Sequence, residues 1–248
     1  MNLFILGCGR SGTSLVAGLF KDSGFFMGDS FYKNRESNPL GFFEDRTINS
    51  INEEIIKPYL PNRYTFSNTN YGSDVPIEGQ RWLARIPVNF QIKANEKQTE
   101  IIRKAVSNQP FCFKDPRFCY TLEPWRKEAP NSKYICVFRK PSDVVESILK
   151  EVRETPYLFD FSISVEKAFE TWKLLYEHVI FNHANKGEWL FLYYDDLFNN
   201  ETLNKIETFS EVSIDRNFPQ IELNRTKSKL NVDKNIQELF DNLMSMRT

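Results

Sequence analysis

Histidine and cysteine are too few and too scattered in this chain to suggest a metal site. There are two histidines, His178 and His183, and four cysteines, Cys8, Cys112, Cys119 and Cys136. No two cysteines form a C-x-x-C, and neither histidine stands at a zinc-ligand spacing from them. Cys8 sits in a glycine-rich turn, and Cys112 and Cys136 lie in apolar runs, so buried free thiols are expected. An excess of charge is missing as well. The 32 Lys and Arg nearly balance the 33 Asp and Glu, for a net charge of −1. No bulk field then draws the chain to nucleic acid or to an anionic membrane, and any anion must be held by local groups. A basic, apolar leader is also not seen. The opening "NLFIL" reads as a strand and is too short to span a bilayer, so the expected location is cytoplasmic. The sequons at Asn200 and Asn224 are then expected to be chance matches.

What is present is an ordinary globular composition over 248 residues, 41% hydrophobic and 26% charged, with 22 Phe, most of them expected in a core. That length allows one large α/β domain or two small ones, and the absence of a clear linker favours a single domain over 1–248. Short apolar runs alternate with amphipathic stretches. Asn2–Leu6, Phe111–Asp115, Tyr134–Arg139 and Trp189–Tyr194 read as buried strands. Ser11–Asp22, Thr47–Ile56, Arg81–Ala105 (in two pieces), Ser142–Glu154, Val165–Ala184, Glu201–Val212 and Val232–Met244 read as helices. Residues 28–43 and 58–80, rich in Gly, Asn and Pro, read as loops. The pattern predicts an α/β fold of three layers, with a mostly parallel central sheet flanked by helices.

One absence is chemical. "ILGCGRSGTS" has the two glycines of a nucleotide-binding P-loop, Gly7 and Gly12, but Thr13 fills the lysine slot. The cation stands three positions earlier, as Arg10. A strand, a glycine turn and a helix N-terminus still make an anion site. Gly9 and Gly12 permit close approach, and Arg10, Ser11, Thr13 and Ser14 add donors. ATP or GTP chemistry is poorly served. Thr13 cannot bridge phosphates, and the Asp needed to hold Mg²⁺ would be Asp195 or Asp196 at the end of a strand, a weak resemblance since many α/β strands end in an acid.

Two further motifs fall at strand ends. "FKDPR" places Lys114 and Asp115 at the C-terminal end of a buried strand, where open α/β sheets keep their ligands. "FRKPSDVVES" ends a strand at Arg139 and starts a helix at Pro141, with Ser147 away from the apolar face; Arg139 and the helix N-terminus form a second anion pocket.

In order and spacing these motifs resemble the sulfotransferase family, over roughly Leu3–Phe209. "GRSGTS" is similar to that family's 5′-phosphosulfate loop. Arg139 and Ser147 are similar to its 3′-phosphate pair, and "KDPR" to the segment that supplies an active-site lysine in tyrosylprotein and bacterial members. "YYDDL" is similar to a late strand-to-helix segment. The resemblance implies a P-loop-like fold and 3′-phosphoadenosine 5′-phosphosulfate (PAPS) as co-substrate, with no metal required. It implies cofactor binding by Gly9, Arg10, Ser11, Gly12, Thr13, Ser14, Arg139 and Ser147, and catalysis by Arg10, Lys114 and a base. Small-molecule members use a histidine, but His178 and His183 lie outside every motif. A carboxylate is expected instead: Glu44 in "NPLGFFED", with Asp45 next. Lys227 and Lys229 either close over the cofactor or form a solvated basic loop. The acceptor, a small-molecule, carbohydrate or peptide hydroxyl or amine, is expected to meet the segment from Tyr59 to Asn95. A small-molecule kinase or NTPase with a degenerate loop, or an inactive nucleotide-binding module, are the competing readings.

Overall fold

A computed structural model of the chain describes residues 1–33, 39–62, 73–220 and 226–248. The central sheet has four strands, β1 (Asn2–Leu6), β2 (Cys112–Lys114), β3 (Ser132–Phe138) and β4 (Glu188–Tyr193), in the order β2-β1-β3-β4. Every pairing is parallel; in register, Ile5 stands beside Lys114 on one side and Ile135 on the other. Near-continuous apolar runs make such strands, because both faces of a parallel sheet are covered. Phe4, Leu6, Phe113, Tyr134, Cys136, Phe138 and Phe191 face one core. Leu3, Ile5, Cys112, Ile135, Val137, Leu190 and Leu192 face the other.

The first core is covered by α2 (Arg46–Ile56), α3 (Glu96–Ala105), α4 (Phe118–Glu128), α5 (Pro141–Glu154), α6 (Val165–His178) and α8 (Lys234–Met246). The second is covered by α1 (Thr13–Leu19) and α7 (Asn200–Ser210). This is the expected three-layer arrangement. Phe4 lies at the centre of an aromatic cluster with Phe111, Phe113, Phe118, Trp125 and Tyr134, ring centroids 5.1 to 6.3 Å apart. The Tyr134 ring stacks on Phe4 and the others meet it edge to face, contacts that stabilise beyond the area they bury. All four cysteines are buried and free, and burial pushes their thiols well up, so they behave as small apolar groups.

Three local expectations change. Arg81–Ala105 is not mostly helical. A short turn at Arg81–Leu83 is followed by irregular chain, and α3 starts only at Glu96. Its start is set by Asn95 and Gln98, which cap each other's backbone N–H groups. Helix α4 was not expected, since Pro124 lies inside it. Proline removes one helical hydrogen bond, but burial of Phe118, Leu122 and Trp125 holds the helix on the sheet. The long helix from Val165 keeps α geometry to His178, and a wider π turn covers Val179–His183. Much of the 58–80 loop (63–72), part of the 28–43 loop (34–38) and the sequon at Asn224 lie outside the described residues. No helix of the described residues is long and apolar enough to cross a membrane.

The strand order places the site. The chain leaves β1 towards β2 on one side, and leaves β3 towards β4 on the other. The loops after β1 and β3 therefore part at their carboxyl ends, where an open α/β sheet forms its ligand crevice.

Candidate active site

The loop after β1 makes two departures from ordinary backbone. Gly12 caps α1 in a left-handed conformation with φ 96°, and Arg10 itself has φ 75°. A non-glycine residue in that region costs about 1–3 kcal/mol, and such strain persists only where surrounding contacts enforce it. The contacts are visible. The hydroxyl of Tyr176 on α6 accepts from the Cys8 N–H (3.2 Å), lies 3.0 Å from Ser11 Oγ and donates to the Val137 carbonyl (2.8 Å). Ser14 Oγ donates to the Phe42 carbonyl at 3.2 Å. Two hydroxyls expected to face a ligand, those of Ser11 and Ser14, are thus engaged within the protein. Thr13 is buried in the first turn of α1. The missing side chains of Gly9 and Gly12 make room for protein rings as well. A Cβ on Gly9 would lie 2.5 Å from the Trp82 ring, and one on Gly12 would lie 2.3 Å from the Tyr194 ring.

Tyr194, just past β4, also carries the Arg139 guanidinium over its face at 4.4 Å. Arg139 donates to the Thr226 carbonyl (2.6 Å) and lies 3.8 Å from Asp143. Asp143 accepts the Ser228 N–H at 2.8 Å, so residues 226–228 cross the start of α5. Lys227 stands 3.8 Å from Asp195, while Lys229 is exposed. Asp195 also accepts from the Tyr193 hydroxyl, and Asp196 pairs with Arg247. The first and third motifs meet directly. Arg10 Nε donates to Ser147 Oγ at 3.0 Å, and its terminal nitrogen lies 3.4 Å from Glu151.

The second motif divides its labour. Lys114 at the end of β2 is buried and lies 2.5 Å from Glu44. The other oxygen of Glu44 accepts from Asn49 (2.8 Å) and lies 3.9 Å from Arg117. Asp115 and Arg117 turn away into a buried network. Arg117 binds Asp115 and Glu53, Arg81 binds Glu53, and Asn52 links Asp115 to Thr121 and Trp125. Burial pushes the Asp115 carboxyl up, against the opposing pull of Arg117. Burial works against the Arg117 charge, but Asp115, Glu53 and Glu44 outweigh it and keep the guanidinium firmly protonated. This network holds the floor beneath Lys114 and Glu44.

Geometry separates the two candidate carboxylates. Asp45 caps α2: one oxygen accepts from Thr47 and Ile48 N–H, and the other from Asp29 and Ser30 N–H. Its oxygens are taken up by backbone, whereas Glu44 touches the buried lysine. The histidines are also committed. His178 Nε2 donates to the carbonyls of Ile86 and Pro87, and its Nδ1 accepts from Asn182. His183 Nε2 donates to the Cys119 carbonyl, and burial holds its pKa down to about 3. Neither bonds a residue of the three motifs. Sequence reasoning missed Asn49, Glu151, Tyr176 and Tyr194. Of these only Glu151 carried a readable signal, its four-residue spacing from Ser147 along an amphipathic helix.

The site sits on a fold with known relatives. The profile of the sulfotransferase family matches residues 2–216, and the chain belongs to that family. Among solved structures it is similar to the sulfotransferase domain of the Synechococcus PCC 7002 olefin synthase, with TM-score 0.54 and 14% identity, covering 98% of this chain and 94% of that one. The sulfotransferase domain from the curacin biosynthetic pathway is similar with TM-score 0.53 and 17% identity, over 98% and 97% of the two chains. Sulfotransferase STF1 from Mycobacterium tuberculosis H37Rv is similar with TM-score 0.54 and 12% identity, over 97% and 76%. At these identities the structural likeness speaks for the fold. No match was found among curated proteins.

Proposed function

We propose that the protein moves a sulfuryl group from PAPS to a hydroxyl or amine of an acceptor by in-line displacement, releasing 3′,5′-ADP. One arrangement supports this reading above all: Arg10, Lys114 and Arg139 follow or end the three neighbouring strands β1, β2 and β3, at the crevice where the loops part. The residues present fit a bisphosphate donor. Ser142 Oγ, buried in the first turn of α5 beside Arg139, has no hydrogen-bond partner among the described residues and is available to a phosphate oxygen. Arg139, Ser142 and Ser147 would hold the 3′-phosphate. Arg10 and the backbone of the loop Gly9–Ser14 would hold the phosphosulfate.

In the reaction, Glu44 takes the proton of the acceptor as its oxygen or nitrogen bonds to sulfur. The bond from sulfur to the bridging oxygen breaks, and its electron pair stays on the 5′-phosphate. Lys114 and Arg10 stabilise that growing charge. Lys114 also gives a proton more readily than an arginine can. A sulfuryl group carries less negative charge than a phosphoryl group, so fixed cations suit it. Residues 1–248 form a single sulfotransferase domain in this reading, acting in the cytoplasm.

Calorimetric titration tests the donor. 3′,5′-ADP should bind without added metal, and far more tightly than Mg-ATP. Tight Mg-ATP binding with none of 3′,5′-ADP would favour the kinase reading and end this one.

A further inference from the structure

The chain just before Glu44 is tied to the donor loop and turns sharply. Ser14 Oγ of that loop donates to the Phe42 carbonyl at 3.2 Å. On either side of Phe42, Gly41 has φ 108° and Phe43 has φ 51°. For Phe43, a non-glycine residue, that conformation is strained. The turn sends neighbouring side chains to different places. The Phe43 ring meets Phe218 in the second core, centroids 5.6 Å apart, while Glu44 meets Lys114 at 2.5 Å. Between this turn and the chain that follows α1 lies a cavity of about 450 Å³. Phe25, Met27, Phe31, Tyr32, Leu40 and Phe43 stand in its wall. No side chain of the wall is a carboxylate or an amide, and its two polar side chains are already paired. Lys21 lies 3.0 Å from Asp215, and the Tyr32 hydroxyl donates to Asn49 Oδ1 at 3.3 Å. Asn49 in turn donates to Glu44 at 2.8 Å. The cavity therefore adjoins the base through Tyr32 and Phe43, and the donor loop through Phe42.

We propose that this cavity holds the body of the acceptor, and that the acceptor is a phenol or long-chain alcohol whose hydroxyl is carried on an apolar body. The proposal rests on the sulfuryl-transfer reading above and names the substrate class for that site. The acceptor's hydroxyl gives its proton to Glu44 as its oxygen takes the sulfuryl group of PAPS, and 3′,5′-ADP leaves. A sugar would bring several further hydroxyls out of water to a wall whose side chains offer them almost no partners, which is costly. An apolar body gains from the same wall, by the area it covers and by contact with the rings. A volume of this size suits a small organic molecule. Phe31, 43% exposed, stands at the rim with a large apolar face that such a body would cover. The strain at Phe43 also acquires a use, since one tight turn supplies both a wall of the cavity and the base beside it.

Turnover by the full chain with PAPS tests this, with naphthol and decanol set against glucosamine and a tyrosine-containing peptide. Naphthol or decanol should be sulfated, and the sugar and the peptide should not. Phe31→Ala should raise KM for the apolar acceptor about tenfold, leaving kcat and the affinity for 3′,5′-ADP unchanged. Phe31→Leu should recover much of that loss. Because Phe31 is half exposed, neither change disturbs the core. Sulfation of the sugar or the peptide alone would overturn the proposal and leave sulfuryl transfer standing. So would binding of 3′,5′-ADP with no turnover of either apolar acceptor, or an unchanged KM in Phe31→Ala. If the protein neither binds 3′,5′-ADP nor uses PAPS, the sulfuryl-transfer reading falls and takes this proposal with it.

Discussion

Glu44 and Lys114, separated by 70 positions in sequence, meet at 2.5 Å with the lysine side chain only 2% exposed. A base and an acid in contact can both act on one displacement, the carboxylate on the entering group and the ammonium on the leaving group. If Glu44 removes the proton, Glu44→Gln should lower kcat by about 10²–10⁴ with donor affinity retained. Lys114→Ala should lower kcat and weaken the donor as well, since it acts on the leaving side. Turnover with an acceptor found by screening is the measurement. Near-normal kcat for Glu44→Gln would move the base elsewhere.

Asp45 should behave differently from its neighbour. Its two oxygens accept four backbone N–H groups, so Asp45→Ala strips the cap of α2 and the tie to residues 29–30. Loss of a cap costs about 0.5–2 kcal/mol, and the second pair of bonds puts this variant at the upper end. Chemical denaturation should show that loss. A fall in kcat with no loss of stability would contradict the assignment.

Arg139 should read the 3′-phosphate. Arg139→Ala should weaken 3′,5′-ADP by about 1.5–3 kcal/mol, the usual worth of a bond to a charged group, and 5′-AMP much less. Paired titrations give the difference directly. Equal weakening of both ligands would give Arg139 a structural role only.

Gly9 is reserved for the Trp82 ring. A Cβ there would lie 2.5 Å from Cε3 and 2.8 Å from Cζ3 of that ring. Gly9→Ala should therefore destabilise by about 1–3 kcal/mol through overpacking. Adding Trp82→Leu should recover part of the loss. A thermal melt in which Gly9→Ala matches wild type would show that the ring shifts freely.

Acid should loosen the fold through its histidines. His183 is held down to about 3 by burial, and burial lowers His178 too, against ordinary values of 6.5. The unfolded chain takes up these protons first. The stability is complete above about pH 6.5 and is lost as pH falls towards 3. For His183 the loss reaches on the order of 3 kcal/mol by pH 4. His183→Gln should show a shallower decline than wild type between pH 6.5 and 4. Parallel declines would remove His183 from the acid response.

The sequence by itself determined the layers and the strand-end motifs. Four apolar runs long enough only for strands, separated by amphipathic stretches, admit little besides a parallel sheet covered on both faces. Arg10, Lys114 and Arg139 each follow or close one of those runs, so their place at the carboxyl end of the sheet was legible from local pattern. Tertiary structure decided everything that depends on partners distant in the chain. Glu44 and Asp45 are adjacent acids, and only the fold sends one to Lys114 and the other to four backbone N–H groups. The glycines of the loop read as room for a ligand, yet Trp82 and Tyr194 use that room at Gly9 and Gly12. Helix α4 escaped because Pro124 outweighs its neighbours in local propensity, while burial of Trp125 and Phe118 wins once the sheet is present. Local spacing encodes which face a residue takes. Which group it meets there is settled by packing between segments tens of residues apart, and no local pattern carries that information.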